Sequence, residues 1–289
     1  MKRRIIAALA ALGLAAGMAL AVAPAAQSVE PAGSPYVALG DSEAAGTGNL
    51  PYVDQSCLRS KKAYPSVLAA SLGTSVVSAA CAGADTDDVL LQVATLAATG
   101  DLGPATQLVT LTAGFNNVDW GAGLAACGEN GDPLSCQQAL LAAQQAVQAL
   151  PVQIATIIGA IRTAAPNAQI VVTGYPLLFG DVTNFCAVGA SQGAPVKFTA
   201  EQTMLVNSFI EGVNAAVAGG VAGYQQQTGD PGILFVDVAA GFDGHGLCDT
   251  GDRWISGLVS GKTTSDRGLH PNTAGQQAWA ALIADALVP

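Results

Sequence analysis

The chain has 289 residues, of which 51% are hydrophobic and only 11% charged, with 11 Lys+Arg against 21 Asp+Glu. That apolar fraction excludes disorder over most of the length. A formal net charge of −10 excludes nucleic acid as an expected partner, because neutralising phosphate needs a basic surface.

At the start, Lys2, Arg3 and Arg4 precede an apolar run from Ile5 to about Val22, then the small residues Ala23, Ala25 and Ala26. This pattern predicts a secretory signal over residues 1–25, cleaved after Ala25 or Ala26. The run approaches the length of a membrane span, but its small-residue end favours cleavage, and no other long run reads as a span. Removal would leave 8 Lys+Arg and 21 Asp+Glu, net −13. The expectation is a secreted chain with no integral membrane span after signal removal. A short leader would cover 26–34 and a single domain 35–289.

Within that domain strands and helices alternate. Residues 36–39 read as an apolar strand running into Gly40, and 64–72 as a helix. Residues 75–80 are β-branched enough for a strand, and 85–98 look helical with Thr86 as N-cap. Residues 107–112 read as a buried strand. The stretch 135–164 has apolar residues at helical spacing, with Pro151 either kinking one helix or starting a second. Strands follow at 169–173 and 233–238, and helices at 199–218 and 273–287. The segments 114–134 and 178–198 read as stapled surface loops. Such alternation predicts an α/β fold, a parallel sheet of about five strands covered by helices on both faces, in three layers. Ligands then bind beyond the carboxyl ends of the strands, which directs attention to 40–46, 81–85, 113–117 and 174–181.

Six cysteines lie beyond the signal: Cys57, Cys81, Cys127, Cys136, Cys186 and Cys248. An even number in an exported chain predicts three disulfides. Sequence alone allows fifteen pairings, the simplest being sequential. No Cys-x-x-Cys occurs, so zinc and redox chemistry are unsupported.

Acyl transfer needs a nucleophile, a base and donors for the oxyanion. Ser42 follows a strand and precedes Ala44-Ala45-Gly46, which can open a tight turn or a helix; an N-cap serine is the plainer reading. Only two histidines exist, His245 and His270. His270 stands before Pro271-Asn272 and a helix start.

Four blocks together resemble the GDSL or SGNH hydrolases: Gly40-Asp41-Ser42, Cys81-Ala82-Gly83-Ala84, Gly114-Phe115-Asn116-Asn117 and His270-Pro271-Asn272. They occur in family order, at strand ends, over nearly the whole mature chain. Cys57-Leu58-Arg59-Ser60 with Ala63-Tyr64-Pro65 further resembles the secreted actinobacterial lipase/esterase branch. The resemblance implies a flavodoxin-like SGNH fold and the sequential disulfides Cys57–Cys81, Cys127–Cys136 and Cys186–Cys248. It implies Ser42 as nucleophile, His270 as base and then acid, and an oxyanion hole of the Ser42 N–H, the Gly83 N–H and the Asn116 amide. No metal or cofactor is implied, and a monomer is expected.

Three positions depart from the family pattern. The family commonly has Asp three residues before the histidine; here Arg267 holds that place and Asp266 lies four before. Either Asp266 orients the imidazole, or the Arg267 backbone carbonyl does so in a Ser–His dyad. Asn117 ends the third block where Asp is usual, a structural rather than a chemical difference. Glu43 follows the nucleophile where an apolar residue is usual; lining the cleft, it would disfavour anionic head groups.

Other patterns are weaker. Gly189-Ala190-Ser191-Gln192-Gly193 matches the G-x-S-x-G elbow, with Asp237 and His270 in the expected order, but 184–188 is a poor strand and no helix follows at once. His245, Cys248, Asp249 and Asp252 suggest a metal site less well than a disulfide-closed loop. Asp85, Asp87 and Asp88 suit a helix N-terminus better than calcium. Trp120 and Trp254 suit either substrate contact or packing. The expected function is a secreted esterase or lipase acting on uncharged, lipid-like acyl esters. The alternatives are a carbohydrate acetylesterase and a catalytically inactive lipid- or carbohydrate-binding protein on the same scaffold.

Overall fold

The computed structural model describes residues 32–118, 132–191, 194–258 and 265–288. In chain order the elements are β1 (Tyr36–Gly40), α1 (Ser42–Ala45), β2 (Tyr52–Asp54), β3 (Arg59–Ser60), α2 (Tyr64–Ser71), β4 (Val76–Ser78), α3 (Thr86–Thr99) and β5 (Leu108–Thr112). After a 3-10 turn at Phe115–Asn117 come α4 (Pro133–Ala164), β6 (Gln169–Thr173), β7 (Phe185–Ser191), β8 (Ala194–Thr199), α5 (Ala200–Thr228), β9 (Ile233–Val236) and α6 (Thr273–Ala286).

Five strands form one parallel sheet in the order β4-β1-β5-β6-β9. The chain order reverses between β1 and β5, so a crevice opens outside their carboxyl ends. Alternate residues of each strand feed two cores. Val37, Leu39, Val109, Leu111, Ile170 and Val172 pack against α3, α4 and α5. Tyr36, Ala38, Leu108 and Val171 pack against α2 and α6, where Tyr64 stacks on Trp279 with centroids 5.3 Å apart. Buried hydroxyls of this second layer pair with one another, while Trp279 Nε1 has no partner. Tyr36 OH meets Thr110 Oγ1 at 2.9 Å, and Thr112 Oγ1 lies 2.8 Å from both Tyr64 OH and Thr173 Oγ1. The sheet, its parallel sense and its two helical layers are as the alternation predicts.

Three local expectations change, and the alternative left open at Pro151 resolves to one helix. The N-cap of α3 is Asp85, not Thr86: its carboxylate accepts from the Asp87 and Asp88 N–H groups. Helix α4 runs unbroken through Pro151. Helix α5 continues to Thr228, ten residues past its expected end. Gly219-Gly220 reads as a stop, yet Gly220 is a contact point: a Cβ there would lie 2.7 Å from the Pro151 carbonyl oxygen and 2.9 Å from Ile154 Cβ. Leu150 and Val217 both lie against Gly114, and Tyr224 against Gly159, so α4 and α5 run side by side in parallel. Finally, the expected loop over 178–198 contains the antiparallel hairpin β7–β8.

Cys57–Cys81 and Cys186–Cys248 are bonded; the expected Cys127–Cys136 bridge lies outside the described residues. Two stretches, Gln137–Ala164 and Ala200–Thr228, are long and apolar enough to cross a membrane by length and composition. Both supply core residues, Leu150 to Ile161 from α4 and Ile210 to Val221 from α5.

Candidate active site

Gly40 ends β1 at φ +140°, with its Cα hydrogen where a Cβ would stand 2.2 Å from the Thr112 carbonyl oxygen. Only glycine fits there. Its peptide groups are held by Gln92, which accepts from the Gly40 N–H and donates to the Gly40 carbonyl, both at 2.9 Å. The chain then enters α1. Asp41 caps this single turn through the Glu43 N–H at 3.0 Å, and Gly46 closes it in the left-handed region. Ser42 is therefore the first helical residue, whose N–H has no intrahelical partner.

The other blocks arrive at the same edge. Gly83 follows β4 with φ +83°. Asn116 follows β5 in the 3-10 turn, and its Nδ2 donates to the Ala84 carbonyl at 3.0 Å, which ties the second block to the third. Asn117 is structural: it accepts from the Thr86 N–H at 3.2 Å and donates to Thr86 Oγ1 at 2.6 Å. His270 is set by the residues after it. Asn272 caps α6 through Ala274 and Gly275, and Asn49 Nδ2 donates to the Pro271 carbonyl at 2.9 Å. Gln276 of α6 reaches back to donate to the Glu43 carbonyl at 3.1 Å. One helix thus positions both the serine turn and the histidine.

Ser42, Glu43, Gly83, Asn116, Asp266 and His270 all line one cavity of about 650 Å³. Its remaining walls are mainly apolar, with Phe115, Leu178, Val206, Phe209 and Leu269 among them. Burial lowers the His270 pKa below its usual 6.5, opposed by the Gly268 carbonyl and the Asp266 charge. Burial also pushes Asp41 up to about 7, against the Tyr175 hydroxyl and the Glu43 N–H. Glu43 rises well above the usual carboxylate range by burial and the neighbouring Asp41.

The imidazole Nδ1 lies 3.0 Å from the Gly268 carbonyl oxygen. Neither the Asp266 carboxylate nor the Arg267 carbonyl is the Nδ1 partner, although the Asp266 charge and backbone carbonyl both act on the ring. The Asp266 carboxylate accepts from the Tyr52 hydroxyl, which burial and this bond push up to about 12. The Arg267 carbonyl accepts instead from the His270 backbone N–H at 3.1 Å.

Residues 38–278 match the GDSL-like Lipase/Acylhydrolase family. The chain belongs to this family. It is 34% identical to Lipase 1 of Streptomyces coelicolor over 94% of each chain. Among solved structures it resembles an extracellular lipase from Streptomyces rimosus, at 31% identity and TM-score 0.68, covering 87% of this chain and 98% of that one. A phospholipase A1 from Streptomyces albidoflavus matches at 28% identity and TM-score 0.69, covering 88% and 99%. As a GDSL-like lipase/acylhydrolase, the protein is a carboxylic ester hydrolase.

Several supporting residues of this GDSL-like site carry no sequence signal of their own. Gln92, Asn49 and Gln276 are isolated in helices or loops. Tyr175, whose hydroxyl donates to Asp41 Oδ2 at 2.6 Å and accepts from the Phe115 N–H at 3.1 Å, falls in the flagged stretch 174–181. The competing patterns resolve as packing. Ser191 pairs with Ala194 across the antiparallel hairpin, not in a strand-to-helix elbow. His245 stacks on Trp254 at 3.5 Å and contacts the Asp252 carbonyl oxygen through Nδ1 at 2.7 Å. Trp254 also packs edge-on against Phe242; Trp120 lies outside the described residues. No metal-binding group of three His, Cys, Asp or Glu occurs among the described residues.

Proposed function

We propose that this hydrolase is secreted after loss of residues 1–25 and cleaves lipid-like carboxylic esters through an acyl-enzyme on Ser42. Ser42 Oγ attacks the carbonyl while His270 takes the proton. The oxyanion is met by the Ser42 N–H, the Gly83 N–H and the second N–H of Asn116 Nδ2, whose first is spent on Ala84. His270 then protonates the departing alcohol, and water repeats the sequence to release the acid. The Gly268 carbonyl, on Nδ1, fixes the tautomer that leaves Nε2 as base, so Ser42 and His270 act as a dyad. The observation that carries this reading is the meeting of Ser42, Gly83, Asn116 and His270 on one largely apolar cavity.

Glu43 lines that cavity and its Oε2 is sealed from solvent; burial and Asp41 push its carboxyl toward the neutral form, which weakens any selection by charge against anionic groups beside the nucleophile. The apolar walls favour acyl chains. Ester hydrolysis by the wild type and Ser42→Ala, across p-nitrophenyl esters of increasing acyl length, tests the reading. The expected result is loss of at least 10³-fold in kcat in Ser42→Ala, and full activity in that variant would overturn it.

A further inference from the structure

Helices α4 and α5 overhang the sheet. Among the described side chains, buried apolar residues of α4 begin at Leu150, yet the helix starts at Pro133. Its first half is held by a half-buried stripe that includes Ala139, Ala143 and Val147. Ala139, Leu140 and Ala143 from this half, with Leu205, Val206 and Phe209 from the start of α5, wall the cavity holding Ser42. Leu140 is 52% exposed and Leu205 60% exposed, so the two mark the cavity mouth from opposite helices. On the same helix halves, outside the cavity lining, Leu134, Leu141 and Met204 are also more than half exposed, at 62%, 52% and 62%.

Charge sharpens the pattern. From Pro133 to Ile161 no Asp, Glu, Lys or Arg occurs, in a chain with formal net charge −10. The exposed polar residues of the first half of α4 are mainly glutamines. A large apolar cluster on an exposed surface marks an interaction site. This one lies on the two helix halves that wall the cavity, and two of its members, Leu140 and Leu205, line it. On the α4 side the absence of charge leaves no ionic group to desolvate against a neutral or zwitterionic surface; on the α5 side Glu201 and Glu211 are exposed and disfavour an anionic one.

We propose that the N-terminal halves of α4 and α5 form a docking surface for a lipid aggregate, seating the cavity mouth on the lipid so that acyl esters enter without crossing water. The occupant is lipid, and not a second copy of the chain, because pairing the two mouths would close the route to Ser42. The role assigned to the surface rests on the ester-hydrolase reading above; its affinity for lipid is measurable without turnover.

The test uses Ser42→Ala protein and sucrose-loaded phosphatidylcholine vesicles, which sediment with whatever binds them. Ser42→Ala is expected to co-sediment. Adding the pair Leu134→Glu and Leu141→Glu, or Met204→Glu, should lower the partition coefficient at least tenfold. Leu91→Glu, at an exposed leucine (65%) of α3, a helix that supplies no cavity-lining residue, adds a like charge and should not. Thermal melts confirm that each variant is folded. In the active protein, the same changes should lower activity on emulsified tributyrin relative to dissolved p-nitrophenyl butyrate by a similar factor. No co-sedimentation, equal loss in Leu91→Glu, or a dimer in sedimentation velocity that these variants break would each overturn the proposal. Vesicle binding with no Ser42-dependent turnover of either ester would overturn the hydrolase reading and leave the docking surface standing.

Discussion

His270 is gripped by its own turn: its N–H donates to the Arg267 carbonyl and its Nδ1 faces the Gly268 carbonyl. The acid that would complete a triad is occupied elsewhere, accepting from Tyr52. Asp266→Ala is therefore expected to keep kcat/KM within about threefold on a dissolved ester. A fall of about 10²–10³ would assign it a part in catalysis of the size that one well-placed group supplies. Asp266 still acts on His270 through its charge, and the two effects separate by pH. The base must be neutral, and protonation below its pKa stops it. Since burial lowers that pKa from 6.5, the acid limb of kcat/KM should have its midpoint below 6.5. Asp266→Ala removes a charge that holds the pKa up, so the midpoint should move lower still. A midpoint above 6.5 in the wild type, read from a pH–rate profile on a neutral ester, would contradict this account.

At the scale of elements, the start of α3 shows what local sequence can and cannot specify. Asp85 receives the Asp87 and Asp88 N–H groups and the Asp88 carboxylate accepts from the Asp85 N–H, a reciprocal cap. Asp85→Ala should lower the free energy of unfolding by about 1 kcal/mol, seen in chemical denaturation, with little change in kcat/KM. An unchanged midpoint would mean that tertiary contacts alone hold this end. Thr86 invites a capping role from its type and place. It is instead buried and takes both polar groups of Asn117, thirty-one positions away. That partner, like the Gly220 contact that carries α5 past its apparent stop, is set by packing between distant segments. Apolar periodicity and strand-end position were enough for the sheet, while Ser42, Gly83, Asn116 and His270 became candidates only through the resemblance of four short blocks to the GDSL or SGNH hydrolases. None of these signals could reveal the β7–β8 hairpin, which is short in core residues, nor the carbonyl behind His270, because a backbone acceptor leaves no residue type to read.

Across the whole molecule, the hairpin belongs to no central sheet and is tied down by other means. Cys186 in β7 is bonded to Cys248 beyond β9, and Leu258 donates to the Val188 carbonyl at 2.6 Å and accepts from Ala190 at 3.3 Å. Two residues before Leu258, Ser256 donates to the His270 carbonyl at 2.9 Å and accepts from the Leu269 N–H. Covalent bridge, hairpin and His270 turn are thus one connected path. The other bridge, Cys57–Cys81, closes a span of 24 residues against 62 for Cys186–Cys248. In the chain-entropy account the longer closure restricts the unfolded chain more, about 4 kcal/mol against about 3.5. Replacing Cys186 and Cys248 together by Ala should therefore destabilise at least as much as replacing Cys57 and Cys81 together. It should also reduce kcat/KM several-fold, because the support of the His270 turn loosens. Denaturation midpoints and ester kinetics on the two double variants decide this. If the Cys57/Cys81 pair proves the costlier to remove, native contacts around Arg59, which donates to the Ala80 carbonyl at 3.0 Å, outweigh loop length, and the second block depends on its bridge more than the histidine does.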